Sequence, residues 1–272
     1  MAVPRRPALG ARGQHFLRSS RLATGLVDLA QLTRDDLVVE IGAGTGVLTR
    51  ALALTGASVV ALENDRALVA DLRRRFDGDA HTTVLEADAR TWPWPAHPFV
   101  VVANLPFAGA AAILARLLED PSVRLKRALL IVQWEWACKH TAVWPSTLRA
   151  VLWRARYELT VAGRLHATAF SPTPSVSGAV LLVRRRAHAL VGEQEHDAYR
   201  RFLHTAYRGG APVRRSPPPG LTSLDVKRQA PVLGFAPDAL PRDLDARQWA
   251  ALFRAGRAAE GAYPVGSVSP TQ

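Results

Sequence analysis

The chain has 272 residues, 48% of them apolar, enough for one large domain with a small appendage. A single cysteine, Cys138, excludes an internal disulfide and argues against a cysteine-based metal cluster. No run of about 18 uncharged apolar residues argues for a membrane span. The start of the chain does not resemble a signal peptide, so a reducing cytoplasm is the expected compartment. The net charge of +12 lies at the ends: residues 1–21 carry five basic residues and no acidic one, residues 22–183 are nearly balanced, and residues 184–257 carry 14 basic against seven acidic. Such ends suit a polyanion such as nucleic acid. Arginine enrichment in a chain rich in Ala, Arg and Pro is the plainer alternative.

Leu37-Val38-Val39-Glu40-Ile41 is a short apolar run and predicts a buried strand. A helix is expected over 47–54, a strand over 58–62, a helix with a solvated Arg face over 66–76 and a short strand over 83–85. A strand over 99–103, a helix over 110–118 and a strand over 128–133 follow. This βα order predicts a parallel sheet with helices on both faces. After Trp136 the pattern changes to a helix over 146–155 and two late strands, 157–161 and 177–184, antiparallel at the sheet edge. Short helices are expected over 197–206, 223–229 and 245–255. The segment 208–220, with Gly209, Gly210, Pro212 and Pro217 to Pro219, cannot be helical. The expected organisation is a basic arm (1–21), a catalytic α/β domain (22–186), a small helical domain (187–257) and a disordered tail (258–272).

Glu40-Ile41-Gly42-Ala43-Gly44-Thr45-Gly46 sits directly after the first strand and opens a helix. Glycines there permit a tight turn and let a ligand approach the backbone, with helix-start amides facing it. The spacing is Gly-x-Gly-x-Gly rather than Gly-x-Gly-x-x-Gly, which departs from the dinucleotide fingerprint. Glu63 ends the second strand, where a carboxylate accepts from both ribose hydroxyls. Asp88, in Glu86-Ala87-Asp88-Ala89, follows the third strand and is placed to accept from an adenine amino group. In an open α/β sheet, ligands lie across those carboxyl ends.

Asn104-Leu105-Pro106-Phe107 follows the fourth strand. An exocyclic adenine amine is a poor nucleophile because its lone pair is delocalised into the ring. The Asn104 side-chain oxygen and the Leu105 carbonyl are placed to accept from that amine, favour a tetrahedral nitrogen and aim its lone pair at a methyl donor. Phe107 is placed to stack on the base and stabilise a sulfonium charge. This is positioning and electrostatics, with no formal base required.

These residues resemble the ribosomal RNA adenine N6-methyltransferase family, which includes the universal small-subunit dimethyltransferases and the Erm macrolide-resistance methyltransferases. Gly13-Gln14-His15-Phe16-Leu17 and Ala169-Phe170-Ser171-Pro172-Thr173-Pro174-Ser175-Val176 match as well, so the likeness runs from about Gln14 to Arg186. It implies a Rossmann-like S-adenosylmethionine-dependent methyltransferase sheet with a small C-terminal helical domain. It also implies roles. Gln14, His15 and Leu17 hold the cofactor's amino-acid end; Gly42, Ala43 and Gly44 line its methionine part. Glu63 and Asn64 bind ribose, and Asp88 and Ala89 the cofactor adenine. Asn104, Leu105, Pro106 and Phe107 face the target base, and Phe170 forms the other side of a base clamp. Phe107 departs from the family's common Tyr; stacking survives the change and a hydroxyl hydrogen bond does not.

Val132-Gln133-Trp134-Glu135 and Ala142-Val143-Trp144-Pro145-Ser146-Thr147 resemble actinobacterial Erm proteins more than the universal enzymes. That branch implies one adenine in the macrolide-binding region of 23S rRNA as substrate and self-protection against macrolide antibiotics as outcome. Arg5, Arg6, Arg12, Arg18 and Arg21 then form one phosphate-gripping arm, and Arg184, Arg185 and Arg186 another contact. The seven Trp are expected in packing, and Cys138 as a small buried hydrophobe. The histidines form no credible metal set, and a metal-free monomer is expected. Three alternatives stand beside this: a 16S rRNA adenine dimethyltransferase, a nicotinamide-dependent oxidoreductase on the same sheet, and a non-catalytic RNA-binding factor. The oxidoreductase leaves Asn104-Leu105-Pro106-Phe107 without a purpose, and the intact Gly loop, Glu63, Asp88 and Asn104 argue against the non-catalytic factor.

Overall fold

The computed structural model describes residues 14–262 apart from Ala108 and Pro145. In chain order the elements are β1 (Phe16–Leu17), α1 (Ser20–Leu29), β2 (Leu37–Ile41), α2 (Val47–Ala53), β3 (Ser58–Glu63), α3 (Arg66–Arg75), β4 (Thr82–Glu86), β5 (Phe99–Asn104), α4 (Ala110–Glu119), β6 (Leu125–Gln133), α5 (Trp134–Thr141), α6 (Leu148–Arg154), β7 (Tyr157–Leu165), β8 (Phe170–Ser171), β9 (Gly178–Arg185), α7 (His196–Arg208), α8 (Ser223–Leu233) and α9 (Ala246–Ala262). The main sheet has seven strands in the order β4-β3-β2-β5-β6-β9-β7. Neighbours from β4 to β6 pair in parallel and β9 runs antiparallel to β6. This is the expected Rossmann-like sheet, its central strands apolar on both faces because helices cover both.

The strand order reverses at β2. The chain runs outward to β3 and β4, then returns to lay β5 on the other side of β2. Such a switch point opens a crevice at the carboxyl ends of the two strands. A separate antiparallel pair, Phe16↔Ser171 and Leu17↔Phe170, joins the start of the described chain to the segment after β7.

The described residues form two compact units. One comprises 14–138 and 158–185 and carries nearly all of the sheet; the other comprises 139–157 and 186–262 and is helical. Residues 139–157 thus fall with the helical unit and not with the catalytic domain expected over 22–186. The reason is packing: Val151, Leu152 and Ala155 share a core with Tyr199, Phe202, Leu244, Trp249 and Phe253. Trp249 is fully buried there and its indole N–H donates to the Pro241 carbonyl at 3.2 Å, as a buried Trp requires.

Three differences from the sequence expectation have local causes. Helix α1 starts inside the segment read as a basic arm. The Ser19 hydroxyl caps it by accepting from Leu22 N–H, and Ala23, Leu26 and Val27 form its buried stripe. Helix α8 continues past Gln229 through Pro231, and Gly234 closes it in a left-handed conformation. Helix α9 is capped by Asp245, which accepts from Arg247 and Gln248 amides, and runs on through Ala262 into the segment read as a tail.

One charged cluster ties the first unit together. The buried Asp36 carboxylate accepts from Lys126 Nζ at 2.7 Å, Arg127 Nη2 at 2.6 Å and Thr33 N–H at 3.0 Å. Arg127 also donates to the carbonyls of Ala30 and Gln31, where α1 ends. The carboxylate therefore fixes the cation that caps α1 against β6.

Candidate active site

The site grows from the turn after β2. Gly42 and Gly44 both have positive φ, +72° and +56°, where a side chain is strained. Space is the second constraint at Gly44: a Cβ would stand 2.6 Å from the Phe16 ring. Gly46, also left-handed, precedes α2.

Acidic groups follow at successive strand ends. Glu63 is buried, and its carboxylate accepts from the amides of Gly44 at 2.8 Å and of Asn64 and Asp65 at 2.9 Å. Glu40, one strand over, is fully buried and its two oxygens have no hydrogen-bond partner among the described residues. Burial pushes its carboxyl up to about 8, opposed by neighbouring Thr49 and reinforced by the Glu63 charge.

Asp88 follows β4, and Arg90 folds back onto it through its main-chain amide at 2.8 Å and its guanidinium at 2.6 to 3.0 Å. The Arg90 side chain, then its amide, hold the Asp88 carboxyl below the usual range. Arg116 on α4 braces the same loop from behind. It donates to the Ala89 carbonyl at 2.6 Å and the Trp92 carbonyl at 3.1 Å, and lies 5.3 Å over the Trp94 ring.

The far side is built at the end of β5. The Asn104 side-chain amide donates to the His15 carbonyl at 2.6 Å. A carbonyl can only accept, so Nδ2 is committed and Oδ1 is left as the acceptor. His15 Nδ1 lies 2.8 Å from the Pro172 carbonyl, which fixes its proton on Nδ1. The His15 and Phe107 rings are 5.8 Å apart. Phe170 is fully buried and meets Phe107 edge-on at 6.4 Å.

These groups surround one cleft of about 430 Å³. It is lined by Gln14, His15, Gly42, Glu63, Asn64, Asp88, Ala89, Asn104, Leu105, Pro106 and Phe107, all singled out in the sequence. Leu17 and Ala43 instead flank a small adjacent void with Glu40, Gly44 meets Glu63 through its amide, and Phe170 backs Phe107 from the interior. Cleft volume, acidic acceptors and a glycine turn fit a nucleoside-bearing cofactor of drug size, for which pockets run roughly 300–1,000 Å³.

The model of the family described as "Ribosomal RNA adenine dimethylase" matches residues 11–209. The chain belongs to that family.

Among individual members, it is 35% identical over 256 residues to the mycinamicin-resistance protein MyrB of Micromonospora griseorubida, covering 91% of this chain and 80% of that one. It is 34% identical to the ribosomal RNA small subunit methyltransferase A of Opitutus terrae, covering 88% and 90%. In structure it is similar to the 23S rRNA methyltransferase ErmE, with TM-score 0.78, 27% identity, and 89% and 99% of the two chains covered. The chain is therefore an rRNA adenine N6-methyltransferase, and its family and fold are those of S-adenosylmethionine-dependent enzymes.

The cleft also includes Phe16, Ile41, Leu62, Ala87, Arg90, Gly109 and Ile113, to which the sequence motifs assign no role. Phe16 sits inside the quoted Gln14–Leu17 motif, so its signal was present. Arg90 had none beyond its distance of two residues from Asp88.

The arginines separate by environment. Arg184 is exposed and reaches Gln31 Oε1 at 3.1 Å. Arg185 donates to the Val123 carbonyl and Arg186 to the Arg154 carbonyl, both half-buried, so these two also close loops. Arg18 is exposed at the entrance to α1. Arg5, Arg6 and Arg12 lie outside the described residues. Among the tryptophans, Trp153 and Trp249 are buried as expected, but Trp144 is 58% exposed. No helix among the described residues is long and apolar enough to cross a membrane.

Proposed function

We propose that this chain transfers methyl from S-adenosylmethionine to the N6 amine of one adenine in 23S rRNA and thereby protects ribosomes against macrolide-type antibiotics. The observation that carries the chemistry is the committed Asn104 amide: with Nδ2 held by the His15 carbonyl, Oδ1 is the acceptor presented at the cleft. An adenine amine donating to Oδ1 gains electron density at nitrogen and is held for attack on the methyl; the carbon–sulfur bond breaks to release S-adenosylhomocysteine, and the proton lost from N6 passes to water. The aromatic groups of the same wall, Phe107 backed by Phe170, supply a stacking face for the extruded base.

Bound S-adenosylmethionine supplies the electrophilic methyl on its sulfonium. Glu63 and Asn64 hold the ribose, Asp88 and Ala89 the adenine, and Gly42, Ala43 and Gly44 let the methionine part approach the backbone. Gln14, His15 and Leu17 close the amino-acid end. The Leu105 carbonyl is the second acceptor for the amine, and Pro106 fixes the turn that aims Asn104 and Phe107. Arg18 and Arg184, with the basic N-terminal residues and the helical unit, meet RNA phosphates and supply affinity rather than chemistry. With ribosomal RNA as substrate, the place of action is the cytoplasm.

The 23S assignment is favoured by the likeness to MyrB, a mycinamicin-resistance protein, and to the 23S rRNA methyltransferase ErmE. The small-subunit relative keeps 16S rRNA as the second reading. Methyl transfer from labelled S-adenosylmethionine to protein-free 23S rRNA, with 16S rRNA alongside and primer extension to map the product, separates them. A stop at one adenine of the 23S macrolide region is expected; label in 16S alone moves the chain to the small-subunit branch.

A further inference from the structure

A carboxylate offers in-plane room for about four hydrogen bonds. At Asp88 those places are filled by a single residue. The Arg90 amide reaches Oδ1 at 2.8 Å, its Nε lies 3.0 Å from Oδ1 and 2.9 Å from Oδ2, and its Nη2 reaches Oδ2 at 2.6 Å. A cofactor adenine amine that is to donate to Asp88 therefore needs the guanidinium to leave. Both residues line the same cleft as Asn104 and Phe107.

Leaving is easy. The Arg90 side chain is 62% exposed, and an exposed ion pair is weak and screened by salt. The main-chain bond from Arg90 to Asp88 does not depend on the side chain. Arg116 holds the Ala89 and Trp92 carbonyls independently. The loop thus keeps its shape while one side chain swings out, and a swung-out guanidinium presents a planar fork of donors suited to phosphate.

We propose that Arg90 couples the two substrates: the cofactor's adenine amine displaces its guanidinium from Asp88, and the displaced guanidinium meets an RNA phosphate at the cleft rim. The inference rests on the reading that Asp88 takes the adenine end of the cofactor. Because linkage is reciprocal, RNA bound first draws Arg90 away and opens Asp88 to the cofactor by the same factor.

The test is equilibrium binding of S-adenosylhomocysteine to the full-length protein and to its Arg90→Gln variant, each with and without a 23S rRNA fragment. In the wild type, RNA tightens S-adenosylhomocysteine binding. Without RNA the variant binds S-adenosylhomocysteine about two- to fivefold tighter than the wild type, the scale of an exposed ion pair, and the gain shrinks as salt rises. RNA no longer tightens binding in the variant. Equal or weaker binding by Arg90→Gln, or RNA coupling that survives in it, overturns the proposal. S-inosylhomocysteine, whose 6-oxygen cannot donate, tests the underlying reading separately. If the wild type binds it as well as S-adenosylhomocysteine, Asp88 does not hold the adenine amine and both fall. If discrimination is intact while Arg90→Gln behaves as wild type, only the coupling falls.

Discussion

The main-chain amide of Gly44 donates to Oε2 of Glu63 at 2.8 Å, so the glycine turn after β2 and the end of β3 share one buried carboxylate. The other oxygen gathers the amides of Asn64 and Asp65. Glu63→Ala leaves three amides to find new partners, at about 1–3 kcal/mol for each one that stays buried and unsatisfied. The expected outcome is a lower melting temperature together with weaker S-adenosylmethionine binding in a titration. Unchanged cofactor affinity would take Glu63 out of the site.

Gly44→Ala meets two obstacles, a left-handed backbone and the Phe16 ring. The backbone alone costs about 1–3 kcal/mol, and the ring must shift, which disturbs the segment that brings His15 to Asn104. Gly25, exposed in α1 with nothing within 4 Å of an added Cβ, is the control. Gly25→Ala is expected to stabilise by roughly 0.5–1 kcal/mol through helix propensity. Denaturant unfolding of the two variants should move in opposite directions.

The sheet was legible because its signals are local. Runs such as Phe99-Val100-Val101-Val102 have no solvated face, and each is followed by a turn carrying a polar group. What sequence did not disclose depends on distant partners. Phe16 faces Gly44 only because β1 pairs with β8, far along the chain. The segment 139–157 joins the helical unit because Val151 and Leu152 find Tyr199 and Trp249. Helix α1 does have a local signal, Ser19 followed by apolar residues at helical spacing, but Arg18 and Arg21 group its start with the basic arm over 1–21. Arg90 carries an exposed charge that gains meaning only once its side chain is seen on Asp88.

Asp36 contributes to the stability of the first unit in a pH-dependent way. Burial pushes its carboxyl up, but hydrogen bonds from Lys126, Thr33 and Arg127, with the Arg127 charge, more than offset this and leave it at about 2. A folded-state value below the unfolded one gives stability that is present above pH 4 and lost as pH falls toward 2. The contribution is about 2 kcal/mol. Asp36→Asn should lower the melting temperature at pH 7 and flatten its fall between pH 4 and 2; an unchanged acid limb would show that the cluster carries none of it.

Glu40 acts in the opposite sense. Its folded-state value of about 8 lies above the unfolded one, so the protonated form is favoured on folding and stability declines as pH rises from about 4.5 to 8. The slope is about 1.4 kcal/mol per pH unit across that window. Glu40→Gln, neutral throughout, should match the wild type near pH 4.5 and exceed its melting temperature increasingly toward pH 8. A constant difference across the range would mean that Glu40 stays ionised.

The most direct test of the proposed chemistry is a pair of measurements on Asn104→Ala: the rate of methyl transfer to 23S rRNA and the dissociation constant for S-adenosylmethionine. If Oδ1 of Asn104 holds the adenine amine, the rate falls by on the order of 10²- to 10³-fold, as on removal of one preorganised polar group from a reaction centre. Cofactor affinity then changes only severalfold. A near-normal rate, or a rate loss matched by the loss in cofactor affinity, would contradict the assignment.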